Sequence, residues 1–190
     1  MSRERIEAGL DALARVAQAS KALSGKVAEV AVRYTAVLQG GGTLFFCGNG
    51  GSAADAQHIA AEYVVRYGVN RRPFAAVALT TDTSVLTAAG NDLGFEQIFA
   101  RQVEAFCSPG DLLILHSTSG QSPNLLAAAG AARKRRISTV AFLGKGGGSL
   151  AGLVDDAVIV PSDETSLVQS IHLALEHLIV ELVESELGRG

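Results

Sequence analysis

Residues 43–67 read TLFFCGNGGSAADAQHIAAEYVVRY, and this stretch decides the fold. A short apolar run, Thr43 to Cys47, passes through Gly48-Asn49-Gly50-Gly51-Ser52 into a segment with helical spacing. A run this short, bounded by glycines and followed by a helix, reads as a buried strand of a parallel sheet. Ser52 is expected to cap the helix, with Asp55 three residues later closing a capping box. Glycines let the backbone approach a ligand closely, and a helix N-terminus carries partial positive charge. The turn therefore suits an anion or a sugar hydroxyl, although the same residues also make an ordinary tight turn.

The pattern recurs on the C-terminal side. Further strands are expected at Phe74 to Leu79, Leu112 to His116, Ser138 to Leu143 and Ala157 to Val160. Helices are expected near Ser52 to Tyr67, Leu93 to Ala105, Ser122 to Lys134 and Thr165 to Leu187. On the N-terminal side, Leu10, Leu13, Val16, Leu23 and Val27 recur at helical intervals from Glu4 to Leu38, with a break expected at Ser24-Gly25. The fold class that follows is α/β: a three-layer sandwich with a five-stranded parallel sheet between helices and a helical N-terminal extension. Residues 1–40 form the extension and 41–190 the core of a single domain.

Composition limits the function classes. At 190 residues and 48% hydrophobic, the chain can bury a full core, and a net charge of -3 provides no broad basic surface for nucleic acid. Cys47 and Cys107 are isolated in sequence, which argues against a disulfide framework or zinc finger and for a reducing compartment. Cys47 itself reads as a buried core thiol. The N-terminus matches neither a signal peptide nor a membrane span, so a soluble, cytoplasmic protein without a membrane partner is expected.

Ligands of open α/β sheets bind beyond the carboxyl ends of the strands. The third strand ends in His116-Ser117-Thr118-Ser119-Gly120-Gln121-Ser122, again before a helix. Hydroxyl and backbone donors at such a helix start can hold a phosphate without lysine or arginine, and no P-loop is present. The bland alternative is a serine-rich loop with Ser122 as cap. His116 is read by default as a satisfied structural histidine. Thr80 to Thr83 and Gly90-Asn91-Asp92 face the same crevice or are ordinary turns. Arg66, Arg71 and Arg72 are candidates for positive charge near a phosphate, the last two expected at solvated positions.

His58 and Glu62 lie four residues apart on one helix face, with Asp55 a turn earlier. The last helix carries VQSIHLALEH over 168–177, so three of the four histidines fall on these two helices. Together they offer nitrogen and oxygen donors for zinc, or an imidazole and a carboxylate for proton transfer. Spacing alone does not choose between His172 and His177. Gln169 stands about 12 Å from His177 along a straight axis, which strains a metal site that uses both.

Taken in order, CGNGGSAADAQHIAAEYVVRY, ALTTDTSVLTAAGND, STSGQSPN and VQSIHLALEH resemble the signature segments of the phosphoheptose isomerase family of SIS (sugar isomerase) domains, over nearly the whole chain. The resemblance implies the SIS fold and a homotetramer built partly through the N-terminal helices, with active sites near subunit interfaces. It implies that Asn49, Gly50, Gly51, Ser52, Asn91, Asp92 and Gln169 contact a sugar phosphate. Ser117, Thr118, Ser119 and Ser122 would hold the phosphate. Zinc, one per subunit, would be held by His58, Glu62, Gln169 and His177, so the resemblance selects His177 over His172. Glu62 and His177 would be the catalytic pair of an aldose-ketose isomerase. The implied reaction is sedoheptulose 7-phosphate to D-glycero-D-manno-heptose 7-phosphate, a precursor of lipopolysaccharide or another heptose glycan. Two positions depart from the pattern: Ser170 stands where an acid often follows the glutamine, and His116 where an apolar residue is usual. The rival readings are a non-catalytic SIS regulator that binds a replication initiator, and an isomerase of a different sugar phosphate. The regulator lacks the Glu and His that this chain has at 62 and 177.

Overall fold

The computed structural model describes residues 2–188. Five parallel strands, β1 (Leu44–Gly48), β2 (Ala76–Ala78), β3 (Leu112–Ser117), β4 (Ser138–Leu143) and β5 (Asp156–Ile159), form one sheet in the order β2-β1-β3-β4-β5. Among the described residues, seven α-helices surround it: α1 (Arg3–Ser20), α2 (Ser24–Gln39), α3 (Gly51–Val64), α4 (Thr83–Asp92), α5 (Ala100–Phe106), α6 (Pro123–Lys134) and α7 (Thr165–Leu187). All five expected strands are present within two residues at either end.

Strand alternation sorts the core into two layers. Leu44, Phe46, Leu112, Ile114, Val140 and Phe142 pack with α2, α3 and α7 on one face. Phe45, Cys47, Leu113, Leu115, Ala141 and Leu143 pack with α5 and α6 on the other. Because both faces are covered, the central strands read as unbroken apolar runs, and burying each large side chain stabilises by about 1.5–3 kcal/mol. Burial also pushes the Cys47 thiol up, and pushes that of Cys107 to about 12, so neither is a ready thiolate.

α7 is long and apolar enough to cross a membrane by composition. It is the central helix of its layer, with Val168, Ile171, Ile179, Val180 and Val183 buried. α1 leans on it through Leu13 and Val16, against Val168 and Ile171.

Three expectations are corrected. The expected helix Leu93 to Ala105 is two pieces, a 3-10 turn at Phe95–Gln97 and then α5, and Gly94 at φ 95° separates both from the helix that precedes them. Ahead of it lies α4, unanticipated because threonine and valine fill its first turns; Asp82 starts it by accepting from the Val85 N–H at 3.0 Å. The N-terminal break falls at Lys21–Leu23, while Ser24 and Gly25 open α2.

The chain reverses its direction of growth across the sheet between β1 and β3, which places the binding crevice beyond their carboxyl ends.

Candidate active site

A cavity of about 280 Å³ opens at this point, lined by the loop after β1 (Asn49 to Ser52), the loop after β3 (His116 to Ser119, with Ser122), and Thr165 and Gln169 of α7. Gly51 or Ser52, Ser122 and Thr165 are each at the start of a helix, so α3, α6 and α7 converge on the cavity by their N-termini. Their partial positive charges add where no lysine or arginine is found among the described residues. This electrostatic arrangement suits a phosphate dianion.

The loops are tied to each other. Asn49 and Asn124 exchange side-chain hydrogen bonds at 2.9 and 2.8 Å, with Asn124 buried. Within the second loop, Ser117 Oγ accepts from the Gly120 N–H at 3.0 Å and Ser119 Oγ from the Gln121 N–H at 3.3 Å. Gly50, at φ 56°, turns the first loop into α3. A Cβ on Gly51 would come within 2.7 Å of the Gln169 amide, so glycine there admits the glutamine to the cavity.

The capping expectation at this helix is corrected. Gly50 is the cap residue, and Ser52 is buried inside the first turn, with Gln169 Nε2 3.5 Å from its Oγ. Asp55 caps nothing: its Oδ2 is buried without a partner. Burial raises its pKa, against the opposing pull of His116 and His58. Ser122 does occupy the cap position of α6, without a side-chain cap bond.

His58 and Glu62 on α3 meet His177 on α7. His58 Nε2 is 2.9 Å from His177 Nε2 and 3.4 Å from Glu62 Oε1, and one donor atom from each residue falls within 4.8 Å of the others. Two ligands at about 2.0–2.1 Å on a tetrahedral zinc stand about 3.3 Å apart, so these separations fit a metal with small adjustment and leave a fourth position free. The three residues form a group that can hold a metal ion.

His172 points elsewhere. Its Nε2 donates to the Leu143 carbonyl at 3.0 Å, and burial pushes its pKa down to about 4, against the hydrogen bond's upward pull. The structure thus separates the two histidines of α7. Gln169 lines the cavity eight residues before His177, with its amide turned toward Ser52.

Other expected residues fall outside this constellation. Asn91 and Asp92 end α4, exposed and bonded to each other at 2.6 Å, and do not line the cavity. Arg66 and Arg72 are exposed. The expectation for Arg71 is corrected: its side chain is fully buried and pairs with Glu184 at 2.9 Å.

Sequence reasoning missed Asn124 and Glu176. Asn124 had a signal in the helix start, since a small amide at N2 next to a proline can reach across a crevice. Glu176, wholly buried, accepts from Tyr34 Oη at 3.3 Å and meets His116 Nε2 at 2.9 Å. His116 is thus tied to α7 through Nε2, while its Nδ1 is buried without a partner.

Comparison with known proteins agrees with this geometry. Residues 10–144 match the SIS domain family. A phosphoheptose isomerase of Akkermansia muciniphila is 48% identical over 173 residues, covering 91% of this chain and 92% of that protein. The phosphoheptose isomerase GmhA of Neisseria gonorrhoeae superposes with a TM-score of 0.91 at 40% identity, covering 96% of this chain and 98% of the other. A phosphoheptose isomerase from Francisella tularensis gives a TM-score of 0.94 at 32% identity, covering 97% and 99%.

Proposed function

The chain belongs to the SIS domain family, among the phosphoheptose isomerases, and on that premise we propose that it converts sedoheptulose 7-phosphate to D-glycero-D-manno-heptose 7-phosphate. The observation that carries the reading is the meeting of Glu62 and His177, 115 positions apart and on different helices, in one donor group with His58. The nearby cavity suits a phosphate.

Shifting a carbonyl between neighbouring carbons requires a base, a partner at the oxygens and stabilisation of an ene-diolate. Glu62 takes the carbon-bound proton and returns it to the adjacent carbon. His177 moves the proton at the oxygen. Asn49, Ser52 and Gln169 orient the sugar hydroxyls, while Ser117, Thr118, Ser119 and Ser122 and the three helix N-termini hold the phosphate. We assign Gly50 and Gly51 to close backbone approach, and Asn91 and Asp92 to substrate contact in the assembled enzyme. Zinc, one per subunit, would be held by His58, Glu62 and His177, with Gln169 as the remaining candidate ligand, and when bound would supply Lewis-acid polarisation of the carbonyl. Glu62 gripping a metal through both oxygens would be a poor base, so the reading requires that one oxygen stay free for the proton.

A cytoplasmic homotetramer supplying heptose for lipopolysaccharide or a related glycan completes the proposal. Exposed Ile6, Leu10, Val32 and Leu182 on α1, α2 and α7 support an interface between copies.

The test is turnover of sedoheptulose 7-phosphate by the purified protein, with and without zinc, beside Glu62→Gln and His177→Ala. Turnover lost in both variants supports the assignment. A folded, zinc-supplied wild type that leaves this sugar unchanged refutes it and favours a different sugar phosphate or a binding module.

A further inference from the structure

After α3 ends at Val64, the chain passes over α7 before reaching β2. The Tyr67 ring lies along the His177 ring, with centroids 5.5 Å apart and planes 24° apart, the geometry of an offset stack. This segment is held by a single buried carboxylate. Glu184 Oε1 accepts from the Tyr67 N–H at 2.8 Å, and its Oε2 from the Gly68 and Val69 N–H groups at 2.8 and 3.2 Å. Arg71 Nε donates to the same carboxylate at 2.9 Å. The rest of the Arg71 guanidinium donates to the carbonyls of Glu62 and Tyr63, at 2.8 and 2.9 Å, and lies over the Phe74 ring.

Glu184 follows His177 by seven residues, two turns along the same helix and on the same face. The helix that carries His177 therefore also fixes the loop that covers it. The guanidinium bound to Glu184 holds the backbone of Glu62 on the opposite helix. One ion pair thus sets the relation between the two proposed catalytic side chains and supplies a wall for one of them.

We propose that Tyr67 is a positioning residue for His177, held in place by the buried Arg71–Glu184 pair; this rests on the isomerase reading above. An imidazole turns about two side-chain torsions. His58 restrains His177 at Nε2, and the stacked ring restrains the plane. Tyr67 is 40% exposed, so its ring contributes little to the core, and its loss reaches the protein mainly through His177.

The experiment compares Tyr67→Ala and Tyr67→Phe with the wild type in two assays. Isomerisation of sedoheptulose 7-phosphate is followed for kcat and KM. Ring ¹⁵N–¹H correlations of histidine-labelled, metal-free protein report the His177 imidazole directly. Tyr67→Ala is expected to lose on the order of 10–100-fold in kcat with KM within about twofold, as for a misplaced catalytic group. Its His177 ring signals shift or broaden, and Tyr67→Phe restores both readouts. Unchanged His177 signals in Tyr67→Ala overturn the proposal whatever the activity, as does a Tyr67→Phe variant as impaired as the alanine. If the wild type does not isomerise this sugar, the functional reading fails, and the ring signals still decide the positioning.

Discussion

His116 Nε2 and Glu176 Oε1 meet at 2.9 Å with neither side chain exposed, His116 near the end of β3 and Glu176 one residue before His177. Tyr34 of α2 donates to the same oxygen, so the contact joins an N-terminal helix, the end of β3 and α7. Glu176 Oε2, His116 Nδ1, His172 Nδ1 and Tyr63 Oη have no protein partner. A buried polar group left alone is costly, and a buried pair costs desolvation that its own attraction only partly returns.

His116→Leu or Glu176→Leu alone is therefore expected to destabilise the fold by about 3–5 kcal/mol, since each strands the other partner. The double variant should recover most of that loss. Urea unfolding of all four proteins completes the cycle, and additive single losses would show that the pair does not interact.

At the proposed phosphate loop, Ser122→Asp should separate stability from binding. Aspartate is as good a helix cap as serine, so the melting temperature is expected to hold or rise. A carboxylate facing the convergence of three helix N-termini repels a dianion, so the affinity for inorganic phosphate or substrate should fall by at least tenfold. Calorimetric titration with phosphate checks it; undiminished binding would place the phosphate elsewhere.

Metal binding should depend unequally on the proposed ligands. His58→Ala and His177→Ala are expected to lower zinc affinity by more than the roughly 10–100-fold that outer-shell changes cost. Gln169→Ala should leave zinc affinity within a few-fold and raise KM, because its amide lies 3.5 Å from Ser52 Oγ in the cavity lining. A loss of zinc in Gln169→Ala equal to that in His58→Ala would mean that α7 presents all its donors to one ion.

The depressed pKa of His172 gives a pH signature. Burial holds it neutral in the fold and pushes its pKa down to about 4, while the unfolded chain takes up its proton near the ordinary imidazole value of 6.5. Below 6.5 the unfolded state binds the extra proton, so stability falls as the pH drops from 6.5 toward 4. His172→Gln should flatten this limb of the stability profile. An unaltered slope in denaturation series between pH 4 and 7 would show that His172 does not contribute to it.

Much of the fold was legible because its signals are local. The run LFFCG, its glycine turn and the following helix are a strand-turn-helix unit by chain chemistry alone, and α7 was bounded correctly by its apolar spacing. The 83–92 helix was not legible, since its first turn is rich in β-branched residues and its start depends on one aspartate side chain. Ser52 misled for a related reason: a serine before a helical run is a cap by sequence, but the positive φ of Gly50 starts the helix two residues sooner.

By itself, the sequence determined which groups are available: two glycine and hydroxyl loops after strands, and imidazoles and carboxylates on two helices. Only the tertiary structure decided which of them meet. A helix turns about 100° per residue, so the five-residue step from His172 to His177 sends one ring to the Leu143 carbonyl and the other to His58. Contacts spanning 60 to 119 positions, from His116–Glu176 through Asn49–Asn124 to His58–His177, follow from how helices rotate and pack on the sheet. No local propensity encodes that rotation; burial of the apolar faces sets it, and the polar groups meet where that packing carries them.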